Sequence, residues 1–165
     1  MGATGKALFI AGTNRTDDLF MYIKRPLTGL QPNRTYRRQF NIQIATNAPT
    51  GCAGIGGAPG EAVFLKAGST AIEPITDPKT RLLNIDKGDQ RQGGRDMFLL
   101  GNIANQSNDC QNLIYEFKDF DSQSIPFEVT ADATGSLWVI IGTDSGYESR
   151  TELFYSKITV KLTEK

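Results

Sequence analysis

The densest collection of groups able to do chemistry lies in "TDSGYES", Thr143 to Ser149. Asp144 and Glu148 supply carboxylates, and Tyr147 between them supplies an amphipathic ring. A tyrosine face can stack on the apolar face of a pyranose while neighbouring carboxylates accept its hydroxyls. That is the chemistry of sugar recognition without bond cleavage. The competing reading makes Tyr147 a cover over the end of the fold. A second set lies in "DKGDQRQGGRD", where Arg91 and Arg95 stand near Asp96. A guanidinium binds a carboxylate or an anionic sugar through two parallel hydrogen bonds. The plainer reading is a solvated loop tip.

Other acids fall in loops. Asp17 and Asp18 are the candidate ligands for a structural calcium, which takes oxygen donors from loop carboxylates and carbonyls. No loop has the EF-hand spacing. Asp and Asn also stabilise turns by bonding their own backbone, and that accounts for the same residues without a metal. A glycosidase would need two facing carboxylates, and no pair stands out. Histidine is absent, which excludes Ser-His-Asp and Cys-His nucleophile systems and His-ligated zinc. The two cysteines, Cys52 and Cys110, sit in polar or glycine-rich loops. They read as one disulfide closing a long loop, or as two unrelated thiols in a reducing compartment.

The stretch "GCAGIGGAPGE", Gly51 to Glu61, holds five glycines in eleven residues. A dinucleotide fingerprint needs a third glycine where Pro59 stands, and a phosphate loop needs a lysine that is missing. The following "EAVFLK" reads as a strand, whereas both motifs open a helix. The stretch is therefore a structured loop, and such loops carry function on rigid sheets.

The elements that must hold these loops have period two. In "TYRRQFNIQIAT", Tyr36, Phe40, Ile42 and Ile44 share one face, while Arg37, Gln39, Asn41 and Gln43 share the other. This is a half-buried antiparallel strand. Arg38 falls on the apolar face, which places it at a rim or against an acid. Similar segments occur at "LFMYIKRPL", "EAVFLKAG", "RLLNID", "MFLLGNI", "NLIYEFK" and "IPFEVTAD". "LWVIIGT" is apolar throughout and reads as a central strand buried on both faces. In "ELFYSKITVKL" the apolar parity switches, which predicts a bulge near Ser156-Lys157. No segment sustains a helical period. About 9–10 strands without a helix predict one all-β domain over residues 1–165, an antiparallel β-sandwich of the jelly-roll type.

The turn "LTGLQPNRTY", with Leu30 under Pro32-Asn33 and Tyr36 entering the core, resembles the turn of fibronectin type III and galactose-binding-like jelly-roll domains. Together with "DDLFMYIKR", "ATNAPTGCAGIGGAPGE", "GNIAN" and "GTDSGYES", it makes the chain look like a group of uncharacterised bacterial exported proteins. The resemblance implies an accessory or surface module of the kind that binds glycans, often with a structural calcium, and it names no ligand.

Lys+Arg and Asp+Glu are both 18. That balance lacks the basic excess of a nucleic-acid binder. No apolar run reaches the roughly 20 residues of a membrane helix. The start, "MGATGKALFIAG", has neither the plan of a signal peptide nor a myristoylation motif. The expectation is an exported protein, periplasmic or extracellular, whose leader is absent here. The sequence thus predicts a non-catalytic module for carbohydrate or another polar cell-surface ligand. Its site is placed in the loops of Gly54–Gly60, Arg91–Asp96 and Asp144–Glu148. A structural or adhesion module for a protein partner is the second reading, and a carboxylate-based glycoside hydrolase the third.

Overall fold

The computed structural model describes residues 6–16, 18–123 and 127–165. Among them there is no helix, so none is long and apolar enough to cross a membrane. Nine strands run in order: β1 (Leu8–Thr13), β2 (Leu19–Leu27), β3 (Thr35–Thr46), β4 (Val63–Thr70), β5 (Met97–Asn102), β6 (Glu116–Asp121), β7 (Glu128–Thr130), β8 (Leu137–Ser145) and β9 (Arg150–Glu164). One sheet has the order β1-β9-β3-β6, with β7 also on β3, and the other has β2-β8-β4-β5. Every pairing is antiparallel. Apart from the extra β7, the chain crosses between sheets at every step but β4 to β5. That strand order is the double Greek key of a jelly roll.

Alternation explains the layering. Phe40, Ile42 and Ile44 of β3, and Leu153 and Tyr155 of β9, meet Val63, Leu65 and Ala67 of β4 and Val139 and Ile141 of β8 in one core. The switch of parity in β9 is real. Tyr155 and Lys157 pair with consecutive residues of β3, so Ser156 is the bulged residue, and its hydroxyl bonds the Gln43 carbonyl at 3.1 Å. The turn before β3 forms as its residues dictate. Asn33 adopts a φ of 58°, the Tyr36 hydroxyl accepts from the Gln31 amide at 2.9 Å, and Leu30 packs beside Tyr36.

Strand β8 is buried on both faces because the segment between β4 and β5 folds back over its outer side. Ile140 there meets Ile85 and Met97. "RLLNID" belongs to that segment and is not a strand; Leu83 makes only an isolated bridge to Thr76. Beneath the segment lies a buried charge cluster. Lys66 and Asp144 are both 0% exposed, and Asp144 Oδ2 accepts from the ammoniums of Lys66 and Lys87, each at 2.8 Å. Lys66 also donates to the carbonyls of Lys87 and Asp89, fastening the segment to the sheet. Burial lowers the Lys66 pKa, and its bond to Asp144 opposes that shift.

Arg38 is not at a rim, and among the described residues it contacts no acid. It is 1% exposed, donates to the carbonyl and hydroxyl of Ser69, and lies between the Phe98 and Phe127 rings at 5.8 and 5.3 Å. Desolvation lowers its pKa to about 10, against a raising influence from Asp96. The rings and Ser69 replace an ion pair in solvating the guanidinium.

Cys52 and Cys110 are bonded, with a sequence separation of 58. The bridge ties the glycine-rich loop to the loop before β6. It is consistent with an oxidising, exported compartment. On the opposite flank, β1 accompanies β9 only from Arg150 to Tyr155.

Candidate functional site

The loop of Tyr147 does meet the glycine-rich loop and the loop of Gln90. The Glu148 amide donates to the Ile55 carbonyl at 2.8 Å, and the Gly146 amide to that of Ala62 at 2.9 Å. A side chain on Gly146 would run into Gln90. The glycines are there for close approach. A Cβ on Gly54 would sit 2.5 Å from the Tyr147 ring, and one on Gly56, at φ +70°, would strike the Gly146 carbonyl. Tyr147 is half-buried, and Glu148 lies against Gly56.

The other residues singled out in the sequence go elsewhere. Asp144 is the buried partner of Lys66 and Lys87, so it offers no acceptor to a ligand at the surface. Arg95 pairs with the adjacent Asp96 at 3.1 Å, and Asp86 accepts from the amides of Gly88 and Arg95, so this tip closes on itself. Arg91 lies over the Phe64 ring at 5.9 Å. Asp17 lies outside the described residues. Asp18 stands 3.9 Å from Lys87, which puts an ammonium where calcium would need further oxygens. Among the described residues no three His, Cys, Asp or Glu side chains converge. Among the described residues, no further carboxylate joins Asp18 to make a calcium site.

A cleft of about 530 Å³ opens beside Tyr147. The disulfide, Pro49, Pro59 and Leu113 form its apolar walls, with Asn47, Arg150, Thr151 and Glu152 among its polar lining. Glu152 organises this polar side. Its Oε1 accepts from the Tyr115 hydroxyl at 2.6 Å and from Asn47 at 3.3 Å, and its Oε2 accepts from Arg150 Nε at 2.9 Å. These bonds, Tyr115 first and Arg150 next, hold the Glu152 carboxyl below its ordinary pKa. Burial, with the bond to Glu152, pushes the Tyr115 phenol up to about 12.

The direction sets a pH dependence. Because the folded pKa is lowered, the stabilisation is complete above the ordinary carboxylate value. It is lost as pH falls from there through the folded value. Melting temperatures measured from neutral pH to about pH 3 should fall less steeply in Glu152→Gln than in the parent chain. Parallel curves would show that Glu152 does not contribute.

Next to the cleft, the outer face of the first sheet carries an aromatic row. Phe9 pairs with Phe154, Phe154 with Ala45, and Ala45 with Phe117, so these four side chains share one face. Phe9 is 48% and Phe117 50% exposed. Phe9 and Phe154 rings lie 4.9 Å apart, and Tyr115 meets Phe154 edge-on at 5.3 Å. At the usual strand spacing the row spans about 14 Å. Ala45 makes a notch in it, and one register step away lie Glu152, Asn47 and Tyr115.

Reading by residue type missed Asn47, Arg150, Glu152 and the phenylalanines. The signal was present in "NLIYEFK", whose Leu113, Tyr115 and Phe117 alternate. Alternation marks a face and does not say that the face is inward.

No family model matches the chain, and no curated protein matches it. Among solved structures it is similar to "Structure of infectious bursal disease virus Gx strain", at 8% identity and a TM-score of 0.36, over 98% of this chain and 39% of that one. It is also similar to "Crystal structure of infectious bursal disease virus VP2 subviral particle", at 8% identity and a TM-score of 0.33, over 97% of this chain and 39% of that one. The chain thus spans about two-fifths of the length of those chains. Likenesses of this depth carry no argument, and the jelly-roll assignment follows from the order of this chain's own strands.

Proposed function

We propose that this chain is a non-catalytic module that binds carbohydrate. The ligand is an extended glycan lying on the outer face of the first sheet, with one end in the cleft beside Tyr147. The observation that carries the reading is the exposure of Phe9 and Phe117 in one row, with the Glu152 cluster alongside. Exposed rings supply the apolar platform that sugar faces stack on, and the cluster supplies fixed polar groups. The site is thereby moved from the loop tips to the sheet face and the cleft that adjoins it. An exported, galactose-binding-like surface module of bacterial origin is the setting this reading favours.

The hydrolase reading has less support. Glu61, Asp77, Asp86, Asp132 and Glu152 all have lowered pKa values, whereas a general acid in a glycosidase needs a raised one. The adhesion reading draws on the same exposed phenylalanines, with Leu113 exposed at the adjoining cleft. Large exposed apolar patches mark protein contacts.

A glycan array on the oxidised protein, followed by titration of the best hit, separates these readings. Replacing Phe9 and Phe117 together with alanine should weaken binding on the order of tenfold or more. Stability should change little, because both side chains are half exposed. An array without binders, from a protein that dimerises or captures a defined protein partner through this face, would sink the carbohydrate reading.

A further inference from the structure

We propose that the cleft beside Tyr147 is selective for a carboxylate-bearing sugar, held by Arg150. This rests on the carbohydrate reading and names its ligand class.

Both oxygens of Glu152 are already engaged. Oε1 is occupied by Tyr115 and Asn47, and Oε2 by Arg150. The Glu152 charge is thereby matched by Arg150 and by two neutral donors. Arg150 is fixed through Nε alone, its side chain is 58% exposed, and its two terminal nitrogens have no partner among the described residues. An Arg anchored at Nε presents the flat end of its guanidinium as a pair of parallel donors. That geometry matches the two oxygens of a carboxylate.

The rest of the cleft suits a sugar ring. Tyr147 and Leu113 offer apolar contact, and the disulfide that braces the wall limits its movement. Thr151 lines the same cleft and is 5% exposed, and its hydroxyl has no partner. That oxygen is shut off from solvent, so Thr151 contributes only wall to the cleft. An acid group on Arg150 and a ring against Tyr147 and Leu113 together describe a uronic-acid-type residue at the end of a chain.

The test uses the oxidised full chain and two probes of equal length, an oligogalacturonate and its methyl ester. Calorimetric titration at low salt should show the acid bound roughly tenfold or more tightly than the ester. Arg150→Gln should bring acid and ester to equal affinity, and Arg150→Lys should restore only part of the preference, because an ammonium lacks the planar fork. Unchanged melting temperatures would show that both variants fold. Equal binding of acid and ester, or binding of neutral glycans only, would overturn carboxylate selection and leave the carbohydrate reading standing. An array on which no glycan binds would overturn both.

Discussion

Asp144→Ala should destabilise the fold by about 3–5 kcal/mol, the usual cost of removing one partner from a buried ion pair. Asp144 is the only carboxylate among the described residues that meets Lys66, and both are 0% exposed. Without it Lys66 keeps two carbonyl acceptors, while Lys87 keeps a 3.9 Å approach to Asp18 and its place over the Phe20 ring at 5.3 Å. The sheet would then hold an uncompensated ammonium in a site that already opposes its charge. Asp144 Oδ1 is buried without a hydrogen bond, so the native pair is itself imperfectly satisfied. For that reason Lys66→Met with Asp144→Leu should be far milder than either single change. Urea unfolding of the single and double variants measures this, and a loss below about 1 kcal/mol in Asp144→Ala would refute it. The Lys66 change has a second readout. It removes the clamp on the carbonyls of Lys87 and Asp89, so the segment around Lys79 and Arg81 should be cut faster by trypsin.

Reduction of the disulfide should cost about 4 kcal/mol in the chain-entropy account, given the separation of 58 residues. For a domain of this size that is a fall of roughly 10 °C in Tm. Cys52→Ala with Cys110→Ala should match the reduced protein. The loss has a functional side, because the bridge is a wall of the cleft. The double variant should lose selectivity for acidic sugars before it loses binding on the aromatic row. A melting curve that does not respond to reductant would show that the bridge adds nothing to stability.

Much of the architecture could be read from local pattern. β3 alternates cleanly, the parity switch in β9 located the bulge at Ser156, and the turn at Asn33 follows from its own residues. These are short-range rules, and they need no partner strand. The cleft depends on longer range. Glu152 meets Asn47, Tyr115 and Arg150, and only Arg150 is a near neighbour in sequence. Tyr115 and Phe117 looked like core because their strand alternates. They face outward because the opposite side chains of β6 are already engaged: Lys118 bonds the Ala104 carbonyl and Asn102, and Glu116 bonds the Gln106 amide. β6 is the edge strand there, so its inner side serves a loop and leaves the aromatics to water. Asp144 was misread for a similar reason. Its segment ends in turn-forming residues, yet β8 continues through Ser145 and carries the carboxylate toward a lysine 78 positions away.

The partial cover that β1 gives β9 has a consequence for the molecule in company. Beyond Tyr155 the outer edge of β9 has no strand beside it among the described residues, and Ile158 on that stretch is 37% exposed. An open edge of this kind is a template on which copies of one chain can add end to end. Three features of this chain oppose that growth. The bulge at Ser156 breaks the line of the strand, and Lys157 and Lys161 set exposed positive charge along its C-terminal half. The last strand is thus built both to close the sandwich and to keep neighbouring molecules apart at high concentration.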